Sequence, residues 1–253
     1  MSDTSRPEWL YDELKHCGVD YSDAELAAAY DGNHRQLRDF RGEFDSMSAF
    51  AGFSNAPGPA NTSALTALDL GCGTGTTAIY LAESFKKVWA VDVAEPMLAL
   101  ARGKAEKAGL SNLEFVRAGF LSYAGPPEPV DFAVIKAAFH HLPDFWKQAA
   151  LLRLNSMLKP GGLLYMFDVV FHFAPETYAE RIPAWINGIA AAGGATLAAE
   201  TQTHIREEFS TFAWILEGMA FRAGFTVAAR RNHDDFLTEY LFRKTEDIGR
   251  PGR

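Results

Sequence analysis

Three glycines at alternate positions directly follow an apolar run that contains an aspartate. Residues 67–75 read Ala-Leu-Asp-Leu-Gly-Cys-Gly-Thr-Gly, which places Gly71, Gly73 and Gly75 just after Asp69. Glycine lets a backbone turn sharply and approach a ligand without a Cβ clash. Residues 76–82 favour a helix, and the first N–H groups of a helix lack partners within it. The segment therefore predicts a site at which a ligand lies against the main chain.

A second carboxylate stands at the end of the next apolar run. Residues 88–91 read Val-Trp-Ala-Val, and Asp92 follows them, seventeen residues after Gly75. An ionised carboxylate accepts hydrogen bonds at two oxygens, so an acidic residue at the tip of a second strand suits the two free hydroxyls of a ribose. The predicted ligand is therefore a nucleoside derivative.

The combination of Asp69, the glycines and Asp92 resembles motif I and its successor in the class I S-adenosylmethionine-dependent methyltransferases. A nicotinamide-dependent oxidoreductase is the main alternative, but its fingerprint spaces the glycines as G-x-G-x-x-G. That register would put Thr76 at the third glycine and leave Asp69 unexplained. A non-catalytic module that binds S-adenosylmethionine, and a transferase that moves another group from a sulfonium donor, stay open, because methyl transfer requires no particular side chain.

The resemblance implies S-adenosylmethionine as cofactor, with S-adenosylhomocysteine as product, and it implies where each part binds. The glycines would lie under the methionine part, Asp92 would hold the ribose, and Val93 and Met97 would pack around the adenine. The residues implied in cofactor binding are Asp69, Gly71, Cys72, Gly73, Gly75, Asp92, Val93, Met97, Gly119, Phe120 and Lys136.

Two of these residues depart from the family pattern. Gly119 stands where the family often has an acid that accepts from the adenine amino group, which leaves the backbone and ring of Phe120 to read the base. Lys136, at the end of a predicted strand, needs a carboxylate partner if it is buried. Asp69 or the carboxylate of the methionine part is the expected partner, and a solvated lysine on the rim is the alternative.

A histidine pair follows the fourth predicted strand, where the family often carries one close to the methyl group. His140 or His141 is the candidate general base, since histidine titrates near neutrality; the alternative is that they hydrogen bond to backbone in the loop. The sequence contains no H-E-x-x-H, C-x-x-C or serine-elbow pattern, so neither a metal site nor a hydrolase is predicted.

The elements that must position these residues alternate regularly. Helices are predicted over 8–15, 22–30 and 34–50, and a linker over 55–63. Strands are predicted over 64–70, 88–93, 113–117, 131–136 and 163–170, with helices between them. Further helices are predicted over 175–192, ending at Gly193 and Gly194, and over 212–223, with Ser210 or Thr211 as N-cap. Strands 225–231 and 236–243 are joined too closely for a crossover helix and must pair antiparallel.

This pattern predicts an α/β fold with a Rossmann-like, doubly wound, seven-stranded and mostly parallel sheet. By the resemblance, its strand order is 3-2-1-4-5-7-6, with an antiparallel C-terminal hairpin. Residues 1–60 would form an N-terminal helical lid, and residues 61–253 a methyltransferase core with a helical insertion at about 174–223, all folding as one domain. Tyr11, Tyr30 and His34 would close over the cofactor.

Composition bounds the partners and the compartment. The chain of 253 residues has a net charge of −8, which disfavours a nucleic-acid partner, and it has only two cysteines, Cys17 and Cys72, which favours the cytoplasm. No apolar stretch is expected to reach the length of a membrane span, so no membrane partner is expected, and a homodimer is left open. The expected partner is a small, partly apolar acceptor under the lid. Its expected cavity residues are His140, Asp168, Phe171, His172, Phe173, Tyr178, Trp185, Phe212 and Trp214.

Overall fold

The computed structural model describes residues 7–15, 17–18, 39–53 and 62–249. The predicted helix over 22–30, Tyr30, His34 and most of the predicted linker over 55–63 lie outside these residues. The strands are β1 (Thr66–Leu70), β2 (Lys87–Asp92), β3 (Leu113–Arg117), β4 (Val130–Lys136), β5 (Leu158–Phe171), β6 (Thr211–Phe212), β7 (Phe225–Asn232) and β8 (Leu237–Lys244). The helices are α1 (Phe40–Phe50), α2 (Thr76–Ala82), α3 (Glu95–Lys107), α4 (Asp144–Met157), α5 (Tyr178–Glu207) and α6 (Ala213–Arg222).

The strands form one sheet in the order β3-β2-β1-β4-β5-β8-β7, with the short β6 beside β5. β1 to β5 pair parallel, and β8 pairs antiparallel with both β5 and β7. This is the predicted fold and the predicted order, with β6 as an additional strand. Because β1 has β2 on one side and β4 on the other, the strand order reverses at the carboxyl end of β1, where open α/β sheets bind ligands.

Helices cover the sheet on both faces, and the side chains of β4 show the two-sided packing. Phe132 and Val134 lie in a core cluster with residues of α1, α2 and α3, such as Met47 and Leu81. Ala133 and Ile135 lie in a second cluster with residues of α4 and α6. Successive side chains of a strand point to opposite faces, so a strand buried on both faces is apolar throughout.

Residues 7–15 form turns rather than the predicted helix over 8–15. The turns are closed by the Leu10 N–H, which donates to the Pro7 carbonyl, and by the Lys15 N–H, which donates to the Asp12 carbonyl. Glu13 in this segment accepts from the backbone of Leu121 and Ser122. These contacts with a distant loop override the local helical preference of the segment.

The region after β5 differs from the prediction in two ways. The predicted helix over 175–192 continues beyond the glycine pair: Gly194, with φ 84° and ψ −179°, separates two helical halves of α5. Thr211 is not an N-cap, because its extended backbone pairs with β5 and its hydroxyl donates to Asp144. Phe212 precedes the first turn of α6 instead.

Helix α5 is also more apolar than the sequence analysis allowed. With the turn before it, the helix spans Pro175–Glu207 and is long and apolar enough to cross a membrane by length and composition, with a mean hydropathy of 1.2 in its best window. Of its residues only Ala198 is buried. Runs of alanine and glycine with few charges give this result, and it corrects the expectation that no stretch has this length and composition.

Candidate active site

A cavity of about 370 Å³ opens at the carboxyl ends of β1, β2 and β4. Every residue predicted for cofactor binding or catalysis lines this cavity except Gly75 and His140. The loops after the strands and the N-terminal segment supply the remaining walls. These further residues include Tyr11, Glu13, Leu14, Lys15, Cys17, Phe40, Thr74, Ala94, Arg117, Ala137 and Leu142.

The glycines after β1 have different roles. A Cβ on Gly73 would meet nothing within 4 Å, so the backbone there faces open cavity. A Cβ on Gly71 would lie 2.5 Å from the Cβ of Ala138, and one on Gly75 would lie 2.6 Å from the Cβ of Ala101. Gly75 therefore lets α3 approach the start of α2. It was predicted to line the cavity, and it does not.

Asp92 fixes the glycine loop while facing the cavity. Its Oδ2 accepts from the Gly73 N–H at 2.7 Å, and its Oδ1 accepts from the Ala94 N–H at 2.9 Å. Burial raises the pKa of Asp92, although these two N–H groups act against the shift. Each carboxylate oxygen has two lone pairs, so both oxygens retain an acceptor site for a hydroxyl group.

Asp69 is a buried carboxylate with an unused oxygen. It is 1 % exposed, and its Oδ2 has no hydrogen-bond partner among the described residues. Burial raises the pKa of Asp69 to about 7, with Lys136 lowering it and Asp92 raising it further. A buried acceptor without a partner is costly to a protein and is a suitable place for a cationic group of a ligand.

Lys136 has a partner that the sequence analysis did not identify. Its Nζ donates to Glu43 Oε2 of α1 at 2.8 Å, rather than pairing primarily with Asp69. Lys136 still lies close enough to Asp69 to lower the pKa of that carboxyl. The next residue, Ala137, has a φ of 50°, an uncommon value for a residue with a side chain, and it also lines the cavity.

An acidic side chain occupies the space beside Gly119. A Cβ built on Gly119 would lie 2.4 Å from Glu13 Oε2, so a side chain at this position and Glu13 exclude each other. Glu13 reaches the loop from the N-terminal segment, where its two oxygens accept from the backbone N–H groups of Leu121 and Ser122 at 2.7 and 2.6 Å. A carboxylate therefore borders the adenine region although residue 119 carries none.

The histidine pair is divided between two environments. His141 lines the cavity, and burial together with His140 lowers its pKa to about 4, so its ring is neutral at pH 7. His140 lies behind it, with Nδ1 2.5 Å from Asp168 Oδ1 and Nε2 3.3 Å from Glu208 Oε2. Burial would lower the pKa of His140, but the two carboxylates outweigh burial and raise it. His140 therefore lies between two carboxylates and does not face the cavity as the predicted base would.

Comparisons with known proteins agree with this geometry. Residues 67–162 match the model of the methyltransferase domain family. An uncharacterized methyltransferase of Anoxybacillus flavithermus is 33% identical over 160 residues, which cover 63% of this chain and 69% of the relative. The chain belongs to the class I S-adenosylmethionine-dependent methyltransferases.

Other members of this family resemble the chain more partially. A demethylmenaquinone methyltransferase of Thermus thermophilus is 34% identical over 130 residues, 48% of this chain and 58% of the relative. The chain spans about half the length of several further relatives that it matches. A magnesium protoporphyrin IX methyltransferase structure from Synechocystis, with bound S-adenosylhomocysteine, has the same fold, with a TM-score of 0.60 at 17% identity over 89% of this chain and all of the other.

The cavity residues fit the cofactor of this methyltransferase family. The free oxygen of Asp69 suits an ammonium group, the open space over Gly73 admits a ligand against the backbone, and Asp92 has acceptor sites for a diol. Membership of the family decides against the nicotinamide alternative. The comparisons do not assign individual residues, so these roles remain predictions that the geometry supports.

The walls expected for the acceptor lie elsewhere. Phe171, Phe173, Phe212, Trp185 and Phe236 pack against one another beyond the end of β5 and do not line the cavity. Tyr178 and Trp214 are more than half exposed. His172 contacts the Thr238 hydroxyl, and Asp168 is buried with His140. The aromatic residues on these elements therefore contact one another or are exposed, and they do not form the predicted cavity wall.

Two aromatic residues nearer the N-terminus do line the cavity. Tyr11 and Phe40 line the cavity as a cover would, and the Tyr11 hydroxyl donates to the His141 carbonyl at 3.2 Å. Trp9 is exposed and Phe44 is core. Glu13, His204 and Glu208 were missed by the sequence analysis, because no motif surrounds them. Glu13 stands in the predicted helix over 8–15, and the other two stand between the helices predicted over 175–192 and 212–223.

Proposed function

We propose that this protein transfers the methyl group of S-adenosylmethionine to a small, partly apolar acceptor. The observation that supports the proposal most directly is the paired placement of Asp69 and Asp92. One has an unused buried oxygen and the other has acceptor sites beside the glycine backbone, both in a single cavity. A ligand that carries an ammonium group at one end and a ribose diol in the middle would satisfy both carboxylates.

When bound, S-adenosylmethionine supplies an electrophilic methyl group, so the residues of the chain need mainly to orient and enclose. Asp69 would bind the ammonium group, Asp92 the ribose hydroxyls, and Val93 and Met97 would pack on the adenine. His141, neutral at pH 7 and at the cavity wall, is the residue best placed to accept a proton from an acidic acceptor.

The partly apolar walls support a small acceptor. Leu14, Phe40, Phe120 and Leu142 line the cavity together with polar groups, and the N-terminal segment lies across it. A macromolecular acceptor would need an open and usually basic approach, which the net charge of −8 does not favour. We accordingly propose a cytoplasmic enzyme without a nucleic-acid partner. The name of the Thermus relative places a quinone ring among the acceptors worth testing.

The direct test of the cofactor site is the affinity for S-adenosylhomocysteine, measured by calorimetry. Asp92→Asn should weaken binding roughly 10-fold to 100-fold, because the site loses charge-assisted hydrogen bonds of about 1.5–3 kcal/mol. The amide would also turn a donor toward the N–H of Gly73 or Ala94. Glu114→Gln, an exposed change on β3, is the matched control and should leave the affinity unchanged.

An affinity of Asp92→Asn within threefold of the wild type would contradict the ribose assignment. The acceptor is tested separately, by thermal-shift screening of phenols, quinones, amines and thiols with S-adenosylhomocysteine present. Hits are then incubated with a radiolabelled methyl donor. Efficient methylation of RNA or protein, with no small molecule methylated, would overturn the proposed acceptor class.

A further inference from the structure

A group of metal-ligating side chains lies directly behind the cavity wall. His140, His141 and Glu208 each offer one ligand atom, and these three atoms lie within 4.8 Å of one another. Two of the residues follow β4 and the third follows α5, more than sixty positions away. Two distant segments of the chain therefore bring together two imidazoles and one carboxylate, the donor set of many catalytic zinc sites.

The spacing of these donors suits a small cation. His140 Nε2 and Glu208 Oε2 are 3.3 Å apart. Two donors on a tetrahedral zinc ion, each about 2.0–2.1 Å from it, lie at about this separation. The three donor atoms lie within 4.8 Å of one another, so the third donor must move closer to the other two to complete the set.

The surroundings hold the donors in place. Asp168 contacts Nδ1 of His140 at 2.5 Å, which directs Nε2 of the same ring toward Glu208. A carboxylate on the far nitrogen of a histidine is the usual outer support of a metal ligand, where it fixes the ring and its tautomer. His204 pairs with Glu208 from one helical turn earlier, and the Phe209 N–H donates to the His140 carbonyl, so the end of α5 is tied to the histidine loop.

We propose that His140, His141 and Glu208 bind one divalent transition-metal ion, with zinc favoured by the nitrogen and oxygen donors. The metal site follows from the geometry of the cluster, and only its use rests on the proposed function. His141 and Cys17 both line the cavity, with Cys17 Sγ 3.3 Å from His141 Nδ1. An ion held here borders the cavity, and its fourth position would take the heteroatom of an acceptor.

A thiol or hydroxyl bound to such an ion has a lowered pKa, so its proton is released to water before the methyl group is transferred. In the metal-bound protein His141 is a ligand, and the ion replaces it as the group that promotes loss of this proton. The lone pair of the acceptor then forms the new bond to the methyl carbon, and the bond from that carbon to sulfur breaks with its electrons on sulfur. This use predicts an acceptor with a thiol or hydroxyl group within the small-molecule class proposed above.

The test measures metal binding on the full chain, independently of activity. Protein dialysed against a chelator is reloaded with zinc, desalted and analysed by elemental mass spectrometry, and its melting temperature is measured with and without added zinc. We expect one zinc ion per chain and a melting temperature that rises with zinc. Cobalt loading should give the visible absorption of a four-coordinate site.

Glu208→Gln and His141→Gln should each weaken zinc binding by at least about tenfold and abolish the rise in melting temperature. Glu207→Gln is the matched control, because the neighbouring Glu207 is more exposed and pairs with Arg206 at the surface. It should bind zinc like the wild type. Circular dichroism and S-adenosylhomocysteine binding report whether each variant is folded.

Wild-type protein that binds S-adenosylhomocysteine but retains no zinc or cobalt would overturn the metal site and leave the proposed function standing. Equal zinc affinity of Glu208→Gln and Glu207→Gln would overturn it as well. A cobalt–thiolate absorption band that disappears in Cys17→Ser would show that Cys17 closes the site, and would overturn the acceptor role of the ion.

Discussion

At the scale of single residues, the hydrogen bonds that a carboxylate lacks indicate its ligand better than its position on the strand does. Asp92 and Asp69 stand at or near the ends of neighbouring strands, but Asp92 is held by two backbone N–H groups, whereas Asp69 Oδ2 has no partner among the described residues. The cost of burying Asp69 in this way is recovered only when a cation binds. Its raised pKa records the same imbalance.

This imbalance predicts how cofactor binding depends on pH. Asp69 has a pKa of about 7 in the folded protein, so the carboxyl is largely neutral at pH 6 and must ionise to bind an ammonium group. Affinity for S-adenosylhomocysteine should therefore rise roughly tenfold between pH 6 and pH 7.5. It should level off toward pH 8, where the α-amino group of the ligand itself loses its proton at about 7.7–8.0.

Calorimetry across this pH range checks the prediction. Asp69→Asn should bind more weakly and lose the rise between pH 6 and pH 7.5, whereas Glu114→Gln should retain it. The assignment of Asp69 to the ammonium group fails if Asp69→Asn shows the same rise as the wild type.

At the scale of elements, the junction of β5, the histidine loop and the end of α5 depends on Asp168. Its carboxylate contacts His140 Nδ1 and accepts from the N–H groups of Phe139 and Val169. Burial would raise the pKa of Asp168, but these contacts lower it to about 2. Asp168→Asn would leave the buried ring of His140 beside one carboxylate instead of two.

We expect Asp168→Asn to lower the free energy of unfolding by about 3–5 kcal/mol, measured by urea denaturation with a chelator present. The lowered pKa of Asp168 contributes stability above its ordinary value of 3.8, and that contribution is lost as the pH falls toward 2. The raised pKa of His140 contributes stability below 6.5, which is lost as the pH rises. The deficit should therefore be largest between about pH 4 and pH 6.5.

Asp235→Asn is the control for this measurement. Asp235 lies on the hairpin between β7 and β8 and forms a half-exposed ion pair with Arg181 of α5. It should change the free energy of unfolding by less than about 1 kcal/mol. A deficit for Asp168→Asn no larger than that of the control would contradict the role of Asp168 at this junction.

The elements also separate what the sequence could predict from what it could not. Strands β1 to β4, β7 and β8 were predicted to within two residues, because apolar runs bounded by glycine, proline and acidic residues are local signals. β5 begins at Leu158, five residues before its predicted start at 163. The hydrogen-bond partners of Glu13, Lys136 and Thr211 could not be predicted, for one shared reason. Their partners, Leu121, Glu43 and Asp144, are distant in sequence, and only the fold brings them together.

The candidate site divides in the same way. Its glycines and strand-end carboxylates were predicted, because a short motif carries their chemistry. The cluster of His140, His141 and Glu208 was not, because its members come from two loops that no local pattern connects. The aromatic side chains after β5 were predicted to line the cavity because they follow the carboxyl end of a strand. They pack against one another instead.

At the scale of the whole molecule, the described N-terminal segment is a cover held by few contacts. Tyr11 donates to the His141 carbonyl, Glu13 accepts from two backbone N–H groups, and Cys17 contacts His141. The sheet and its helices are held by the two large cores instead. Segments with few buried contacts open at low cost, so the cover should close when a ligand fills the cavity beneath it.

Limited proteolysis follows this closure directly, because the exposed Lys15 in the cover is a trypsin site that also lines the cavity. S-adenosylhomocysteine should slow cleavage after Lys15 several-fold, while cleavage after Arg222, at the end of α6, keeps its rate.

Glu13→Ala removes the carboxylate beside Gly119 along with both of its backbone contacts. It should therefore speed cleavage after Lys15 in the free protein and weaken S-adenosylhomocysteine binding roughly tenfold. Glu8→Ala, five positions away and exposed, is the control and should bind the ligand like the wild type. If the ligand leaves the cleavage rate after Lys15 unchanged and Glu13→Ala binds normally, the segment is not a cover and the adenine region is complete without it.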